Sequence, residues 1–208
     1  MPSLPADLRG KRALVTGATG SLGGEIARAL LSMGAEVLLA ARNPQKAERL
    51  LAALRAESPG AAFSAVPLDL AELASVRALC EGLRDRPLDL LVNNAGVYRQ
   101  PRVTTADGLE RTFQVDCLAP VWLTLRLWPQ IAERGGRVVT ITSLSAFYPR
   151  FDPEDPQALH ARSLTEAYAR VKLAEALCMA HIDRLEGARS LLAHPGVSAT
   201  GLFSLENA

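Results

Sequence analysis

The stretch Thr16-Gly17-Ala18-Thr19-Gly20-Ser21-Leu22-Gly23 joins a short β-forming run, Arg12 to Thr16, to a helical pattern that begins at Leu22. Glycines at positions 17, 20 and 23 allow a tight turn and close approach to the backbone. At such a strand-to-helix turn the amide N–H groups and the helix dipole together favour a bound phosphate. The stretch therefore predicts a phosphate-binding turn, although glycines can also serve tight packing alone at this place.

Outward from this turn, short apolar runs alternate with helical patterns. The predicted strands are Arg12–Thr16, Glu36–Ala41, Ala62–Pro67, Leu88–Asn93, Arg137–Thr142 and Ser190–Ala193, and the predicted helices are Leu22–Met33, Gln45–Glu57, Leu73–Leu83, Leu109–Ile131 and Leu164–Leu185. Apolar strands separated by helices are typical of a parallel sheet covered on both faces. We expect a single domain over residues 1–208 with an α/β, doubly wound, three-layer architecture.

The charge balance argues against whole classes of partner. The chain has 23 Lys and Arg against 22 Asp and Glu, so we expect binding neither to nucleic acid nor to an anionic membrane. It has no apolar run long enough to span a bilayer and no secretory signal, and we expect a soluble, cytoplasmic protein. The three cysteines and three histidines lack metal-ligand spacing, so we predict reduced packing cysteines and no metal site.

The end of the second predicted strand bears on which dinucleotide fits. Arg42 and Asn43 follow this strand directly, and no acidic residue occurs before Glu48. An acidic side chain at this point binds the ribose 2′-hydroxyl of NAD, whereas a cation suits the 2′-phosphate of NADP. Arg42 therefore favours NADP over NAD; the alternative is a solvated arginine that ends a strand.

A tyrosine and a lysine four residues apart, Tyr168 and Lys172, fall within the last predicted helix. Residues at this spacing share one helix face. A phenol can protonate the oxygen of a carbonyl whose carbon receives a hydride, and a nearby ammonium lowers the pKa of the phenol. The spacing therefore predicts Tyr168 as a general acid/base with Lys172 as its electrostatic partner, although such pairs are also common on inert surface helices.

Together these motifs resemble the short-chain dehydrogenase/reductase family, especially its NADP-using, retinol-dehydrogenase-like branch. The matching segments follow the family's order along nearly the whole chain: the glycine turn, Asp69-Leu70, Asn93-Asn94-Ala95-Gly96, Ser143, Tyr168 with Lys172, and His194-Pro195-Gly196. The resemblance implies a Rossmann-type fold. It also implies an oxidoreductase that moves a hydride between NADP(H) and a small-molecule alcohol, ketone or aldehyde.

The resemblance also assigns roles residue by residue. Ser143 orients the substrate oxygen, and Lys172 also holds the nicotinamide ribose. The expected cofactor contacts are Gly17, Thr19, Gly20, Ser21, Leu22 and Gly23 in the turn, Arg42 and Asn43, Asp69 and Leu70 at the adenine, Asn94, Ala95 and Gly96 along the cofactor, and Pro195, Gly196 and Val197 at the carboxamide.

Three features depart from the family's pattern. Ser21 stands where the phosphate loop usually has glycine, and Asp116 stands where an asparagine usually positions a water for proton relay. An ionised Asp116 can pair with Lys172 or raise the pKa of Tyr168. The sequence also ends twelve residues after Gly196. We therefore expect the family's last strand to be missing and the exposed sheet edge to favour a homo-oligomer.

These departures leave other functions open. One alternative is an NADP-binding regulatory or interaction module on the same fold, with weak catalysis or none. Another is an inactive, truncated product that does not unfold cooperatively.

Overall fold

Six strands and six helices alternate along residues 7–99 and 101–196, the part of the chain that the computed structural model describes. In chain order they are β1 (Arg12–Thr16), α1 (Ser21–Ser32), β2 (Glu36–Ala41), α2 (Pro44–Glu57), β3 (Phe63–Pro67), α3 (Leu73–Gly82), β4 (Leu90–Asn93), α4 (Arg111–Phe113), α5 (Ala119–Glu133), β5 (Arg137–Ile141), α6 (Leu164–Ile182) and β6 (Arg189–Ala193). A π-helical turn, Gln114–Leu118, joins α4 to α5, and a 3-10 turn, Leu144–Phe147, follows β5.

The strands form one parallel sheet in the order β3-β2-β1-β4-β5-β6. The strands β2 and β3 are added on one side of β1, and β4, β5 and β6 on the other. The loops that follow β1 and β4 therefore lead to opposite sides of the sheet. Ligands of doubly wound sheets bind in the crevice at this switch point. The predicted α/β, doubly wound architecture is confirmed.

Helices cover both faces of the sheet and form the outer layers. On one face, α1 and α2 contribute Leu30 and Leu54 to a buried cluster with Val15 of β1. On the other, α3, α5 and α6 bury Val76, Leu123 and Met179 against the sheet. The apolar strand residues therefore contact helices above and below, which is why the strands read as continuous hydrophobic runs.

Several predicted boundaries are wrong. The helix predicted over Leu109–Ile131 begins only at Arg111, and the π-helical turn interrupts it. The fourth strand starts at Leu90 rather than Leu88. The last helix ends at Ile182 because the carboxylate of Asp183 accepts hydrogen bonds from the Ser190 amide and the Arg189 side chain, at 2.8 and 2.9 Å, and turns the chain towards β6.

At the β6 edge, Leu191 and Leu192 are 39% and 42% exposed, and within the described residues β6 pairs with β5 alone. The expected homo-oligomer stays a prediction, as does the single domain. The described residues contain six strands and no seventh. None of their helices combines the length and the apolar character that a bilayer crossing requires.

Candidate functional site

The predicted site residues converge on one edge of the sheet. All six strands are parallel, so the loops after their carboxyl ends lie side by side. The described site residues occur in or beside these loops, except that Tyr168 and Lys172 lie on α6, and Asp116 lies in the π-helical turn. Val197 lies outside the described residues.

The hydroxyl of Thr16 connects the two strand ends at the switch point. It donates to the carbonyl of Val92 on β4 at 3.3 Å and accepts from the amides of Asn94 and Ala95 at 3.0 Å each. The side-chain amide of Asn94 returns to β1 by donating to the Thr16 carbonyl at 2.9 Å. These bonds fix the loop Asn94–Gly96 against the glycine turn. Thr16 is 1% exposed, so the bonds are shielded from water.

The glycine turn packs so closely on this loop that side chains do not fit. A Cβ on Gly17, whose φ is +62°, would lie 2.8 Å from the Cα of Ala95. A Cβ on Gly23 would lie 2.3 Å from the Gly17 carbonyl oxygen and 2.7 Å from the Asn94 amide nitrogen. Both glycines are therefore required by packing as well as by ligand access.

The start of α1 suits a phosphate group. Gly20 is the N-cap and Ser21 the first helical residue, and neither a side-chain cap nor an acidic residue occupies the first turn. Thr19 and Leu22 are partly exposed beside it. The first amides of a helix lack partners within the helix, so they can bind an anion here. Ser21 fits without disturbing the helix start.

Arg42 lies at the carboxyl end of β2 with its side chain 70% exposed, and its Nε is 4.0 Å from a carboxylate oxygen of Asp69 after β3. Asn43 caps α2 by accepting from the Lys46 amide at 2.9 Å, so its side chain has a structural role there. Leu70 is buried at 5% exposure within the core. The strand end thus offers an available cation and a neighbouring carboxylate.

Ser143 and Tyr168 meet across the cleft between β5 and α6. The two side chains interact, and the ring of Tyr98 contacts the Tyr168 ring edge to face at 4.8 Å between centroids. The hydroxyl of Ser143 also accepts from the Ser145 hydroxyl at 2.9 Å. Tyr168 is 8% exposed, so its phenol is largely shielded from water beside the serine predicted to orient a substrate.

The ammonium of Lys172 is buried one helical turn from Tyr168, at 4% exposure. It donates to the carbonyl of Ile141 at the end of β5, at 2.8 Å, and forms an ion pair with Glu175. Burial alone would lower the pKa of Lys172, but the charges of Glu175 and Asp116 outweigh burial and raise this pKa. Lys172 therefore remains an ammonium.

Asp116 lies on the other side of Lys172 and is 1% exposed. One of its oxygens accepts from the Val97 amide at 2.7 Å, and its carboxylate packs 3.4 Å from the Cβ position of Gly96. Burial raises the pKa of Asp116 to about 8, against a lowering by Lys172 and the Val97 amide. Asp116 thus joins the loop after β4 to the charged cluster on α6.

The prediction that Lys172 lowers the pKa of Tyr168 below its ordinary value is wrong for the protein without its cofactor. Burial raises the pKa of Tyr168, the charge of Lys172 lowers it less, and the charge of Asp116 adds to the rise. The charge of Glu175, which is paired with Lys172, also raises the pKa of Tyr168 and so opposes part of the effect of the ammonium. Both expectations for Asp116 are supported, because its charge interacts with Lys172 and also raises the pKa of Tyr168.

Three residues that no sequence motif singled out organise the site. Thr16 and Glu175 act as described above, and the side-chain amide of Gln114 donates to Asp107 at 2.7 Å and to the Leu70 carbonyl at 3.3 Å. Glu175 could have been predicted from the sequence, because a residue three positions after Lys172 lies on the same helix face. Thr16 and Gln114 had none, because their partners are remote in sequence.

The cysteines are not uniformly packing residues as expected. Cys80 and Cys117 are buried, but Cys178 is exposed. The thiols of Cys117 and Cys178 interact across the contact between the π-helical turn and α6.

The fold and the site together define a class of protein. A glycine turn at the switch point, an uncapped helix start, and Ser143 beside the buried Tyr168 and Lys172 on the same edge are the features of a dinucleotide-binding oxidoreductase fold. A model of the family described as short chain dehydrogenase matches residues 11–152. The chain belongs to this family.

Two curated relatives illustrate the kinship in sequence. The chain is 40% identical over 214 residues to mouse polyprenol dehydrogenase, covering 97% of this chain and 64% of that protein. It is 36% identical over 214 residues to mouse retinol dehydrogenase 14, covering 95% of this chain and 64% of that protein. The chain thus spans slightly under two thirds of the length of either relative.

Solved structures agree in fold. A short-chain dehydrogenase from Sphingobium yanoikuyae in complex with NADPH matches with a TM-score of 0.76 and 26% identity, over 92% of this chain and 73% of that chain. One from Burkholderia cenocepacia in complex with NADP matches with a TM-score of 0.77 and 27% identity, over 95% of this chain and 78% of that chain.

Removing the Thr16 hydroxyl should loosen the switch point. We expect Thr16→Val to lower the free energy of unfolding by about 1–3 kcal/mol, because two buried amides lose their acceptor. Thr16→Ser keeps the hydroxyl and serves as the control. Urea denaturation of the two variants measures the difference, and equal stabilities would show that the hydroxyl bonds contribute nothing.

Asp116 should make stability depend on pH. Its folded pKa of about 8 lies above the ordinary value of 3.8, so the folded chain keeps a proton that the unfolded chain has released between these values. The stability of the wild type relative to Asp116→Asn should therefore fall as the pH rises from 4 to 8, by at most about 1.4 kcal/mol per pH unit.

Denaturation midpoints across this pH range measure the effect. Asp85→Asn, at an exposed carboxyl group, is the matched control and should give a constant difference from the wild type. A constant difference for Asp116→Asn as well would mean that Asp116 is not protonated in the folded chain.

Proposed function

We propose that this chain is an NADPH-dependent reductase of apolar aldehydes or ketones, with Tyr168 as the proton donor. The convergence of Ser143, Tyr168 and Lys172 on one cleft carries the proposal. NADPH, when bound, supplies the hydride. The chain's own residues bind the dinucleotide, orient the carbonyl and provide the proton.

The cofactor site fits NADP(H) better than NAD(H). The uncapped start of α1 offers amides to the pyrophosphate. Arg42, exposed and next to Asp69, offers a guanidinium where a 2′-phosphate would lie. The Sphingobium and Burkholderia enzymes, solved in complex with NADPH and NADP, support the same choice.

The protonation state of the phenol supports reduction over oxidation. Hydride addition to a carbonyl leaves negative charge on oxygen, and a nearby acid must neutralise it. With its pKa raised, the phenol carries at neutral pH the proton that a reduction consumes, and developing charge on the substrate oxygen would draw that proton across. Ser143, beside Tyr168, would hold the carbonyl oxygen next to that proton.

The surface around Ser143 supports an apolar substrate. Leu144, Phe147, Tyr148 and Phe151 follow it directly and are 50%, 80%, 86% and 43% exposed. Burying such side chains against an apolar substrate would be favourable, at about 25 cal/mol per Å² of apolar area. The curated relatives are named for polyprenol and retinol, which are long apolar alcohols.

A second candidate function is a module that binds NADPH without turnover. The burial of Tyr168 favours it, because burial raises the pKa of the phenol and so makes it a weaker acid. NADPH consumption over a panel of short and isoprenoid aldehydes and ketones separates the two functions. Tight NADPH binding with no consumption would support the module.

Tyr168→Phe tests the proposed acid. We expect turnover to fall by at least about 10²-fold, since positioned proton transfer contributes about 10²–10⁴-fold. NADPH affinity, measured by fluorescence titration, should be unchanged. Thr165→Val removes an exposed hydroxyl from the same helix and is the control. Equal turnover in the two variants would remove Tyr168 from the chemistry.

Arg42→Ala tests the cofactor choice. Loss of a charge-assisted contact of about 1.5–3 kcal/mol should weaken NADPH binding about 10–100-fold. NADH binding should change little, because NADH has no 2′-phosphate. Arg49→Ala, an exposed arginine on α2, is the control. Tighter binding of NADH than NADPH by the wild type would contradict the choice.

A further inference from the structure

Glu175 is a buried carboxylate that the proposed chemistry does not use. It lies on α6 three residues after Lys172, is 1% exposed and forms an ion pair with the Lys172 ammonium. A charged group buried this deeply needs a compensating partner. Burying such an ion pair costs desolvation energy, so its presence here points to a role in the site. The contact therefore raises the question of what Glu175 does for the lysine.

The ammonium of Lys172 is held on two sides. Glu175 contacts it along α6, and the Ile141 carbonyl at the end of β5 accepts from it at 2.8 Å. With both contacts in place the lysine has a fixed position between helix and sheet. Its distance from the Tyr168 phenol is fixed in the same way, because both residues belong to α6.

The charges in this cluster do not balance. Lys172 faces the carboxylates of Glu175 and Asp116 and the phenol of Tyr168. Glu175 faces Lys172 and the thiol of Cys178, and Asp116 faces Lys172, Glu175 and Glu110. One ammonium thus serves two buried carboxyl groups. Among the described residues, one oxygen of Asp116 and one of Glu175 lack a hydrogen-bond partner, and the Glu175 oxygen is the one that forms the ion pair with Lys172.

We propose that Glu175 is a positioning residue that anchors the Lys172 ammonium and offsets the positive charge that would otherwise stabilise the Tyr168 phenolate. It acts only through the lysine. Glu175 thereby keeps Tyr168 in its protonated, proton-donating form. This assignment deepens the proposed function and rests on Tyr168 being its acid, but titration of the phenol tests it without any turnover.

The experiment is a pH titration of phenolate absorbance in the full chain. Tyr98 and Tyr148 contribute a background, which subtraction of a Tyr168→Phe partner for each variant removes. Circular dichroism over the same titration defines the pH range in which the fold persists. The variants are Glu175→Gln, which removes the charge, Glu175→Asp, which keeps it, and Glu186→Gln, which changes an exposed glutamate as the matched control.

We expect Glu175→Gln to lower the Tyr168 titration midpoint by about 1 pH unit, the lower end of the usual effect of a nearby opposite charge, because Asp116 still faces the ammonium. Glu175→Asp and Glu186→Gln should both titrate close to the wild type. A merely structural Glu175 would change thermal stability in the Gln variant and leave the midpoint where it was, and that result would overturn the proposal.

A double variant keeps the proposal testable if Glu175→Gln does not fold. Lys172→Met with Glu175→Gln removes both charges of the ion pair and leaves no unpaired ion at that place. Both changes are made in an Asp116→Asn background, because Asp116 also faces Lys172 and raises the pKa of Tyr168. If the charges of Lys172 and Glu175 offset each other at the phenol, the Tyr168 midpoint should stay within about 1 pH unit of that of Asp116→Asn alone. A larger increase would show that the ammonium acts on Tyr168 without opposition, which contradicts the proposal.

Absence of turnover in the wild type would remove the proposed reductase function but would leave this titration valid. The two failures are therefore distinguishable. If the wild type does turn over, the pH dependence of kcat/KM should move with the Tyr168 midpoint in Glu175→Gln.

Discussion

The hydroxyl of Thr16 is the interaction on which the candidate site depends. It joins β1 to β4 where the strand order reverses, and it holds the loop Asn94–Gly96 against the glycine turn. The same loop continues into Val97, whose amide holds Asp116. A single buried hydroxyl thus begins a chain of contacts that runs from the proposed phosphate turn to the charged residues beside α6. Each later contact is placed by the one before it, so the cofactor side and the proton-transfer side of the cleft share one framework.

Burial, more than any single charge, determines the protonation of this cleft. It raises the pKa of Asp116 to about 8, raises the pKa of Glu175 to about 7, and raises that of Tyr168 as well. One lysine cannot compensate three groups that all lose hydration, so its effect is divided among them. The carboxyl and phenol groups are therefore biased towards their neutral forms. That bias suits a site that gives a proton to a substrate oxygen.

The sequence predicted the fold well because its signals were local. Strand and helix periodicity and the glycine turn are each read within a few residues, and a parallel sheet covered on both faces follows from their alternation along the chain. The sequence did not predict the Thr16 bonds, the contact of Gln114 with Asp107 and Leu70, or the direction of the Tyr168 pKa. These depend on side chains remote in sequence, or on burial, which no short motif reports. The π-helical turn was missed for a related reason, since its residues are as apolar as those of an ordinary helix.

This π-helical turn, Gln114–Leu118, has a geometric consequence for the site. An α-helix places successive residues about 100° apart, so four consecutive residues cannot normally all face inward. Here Gln114, Val115, Asp116 and Cys117 are all buried. The wider turn gives the segment room to direct Gln114 to the loop after β3, Asp116 to the loop after β4, and Cys117 to α6. The extra residue in this turn thus lets one segment contact three separate elements. Deleting one residue from it would break at least one of these three contacts.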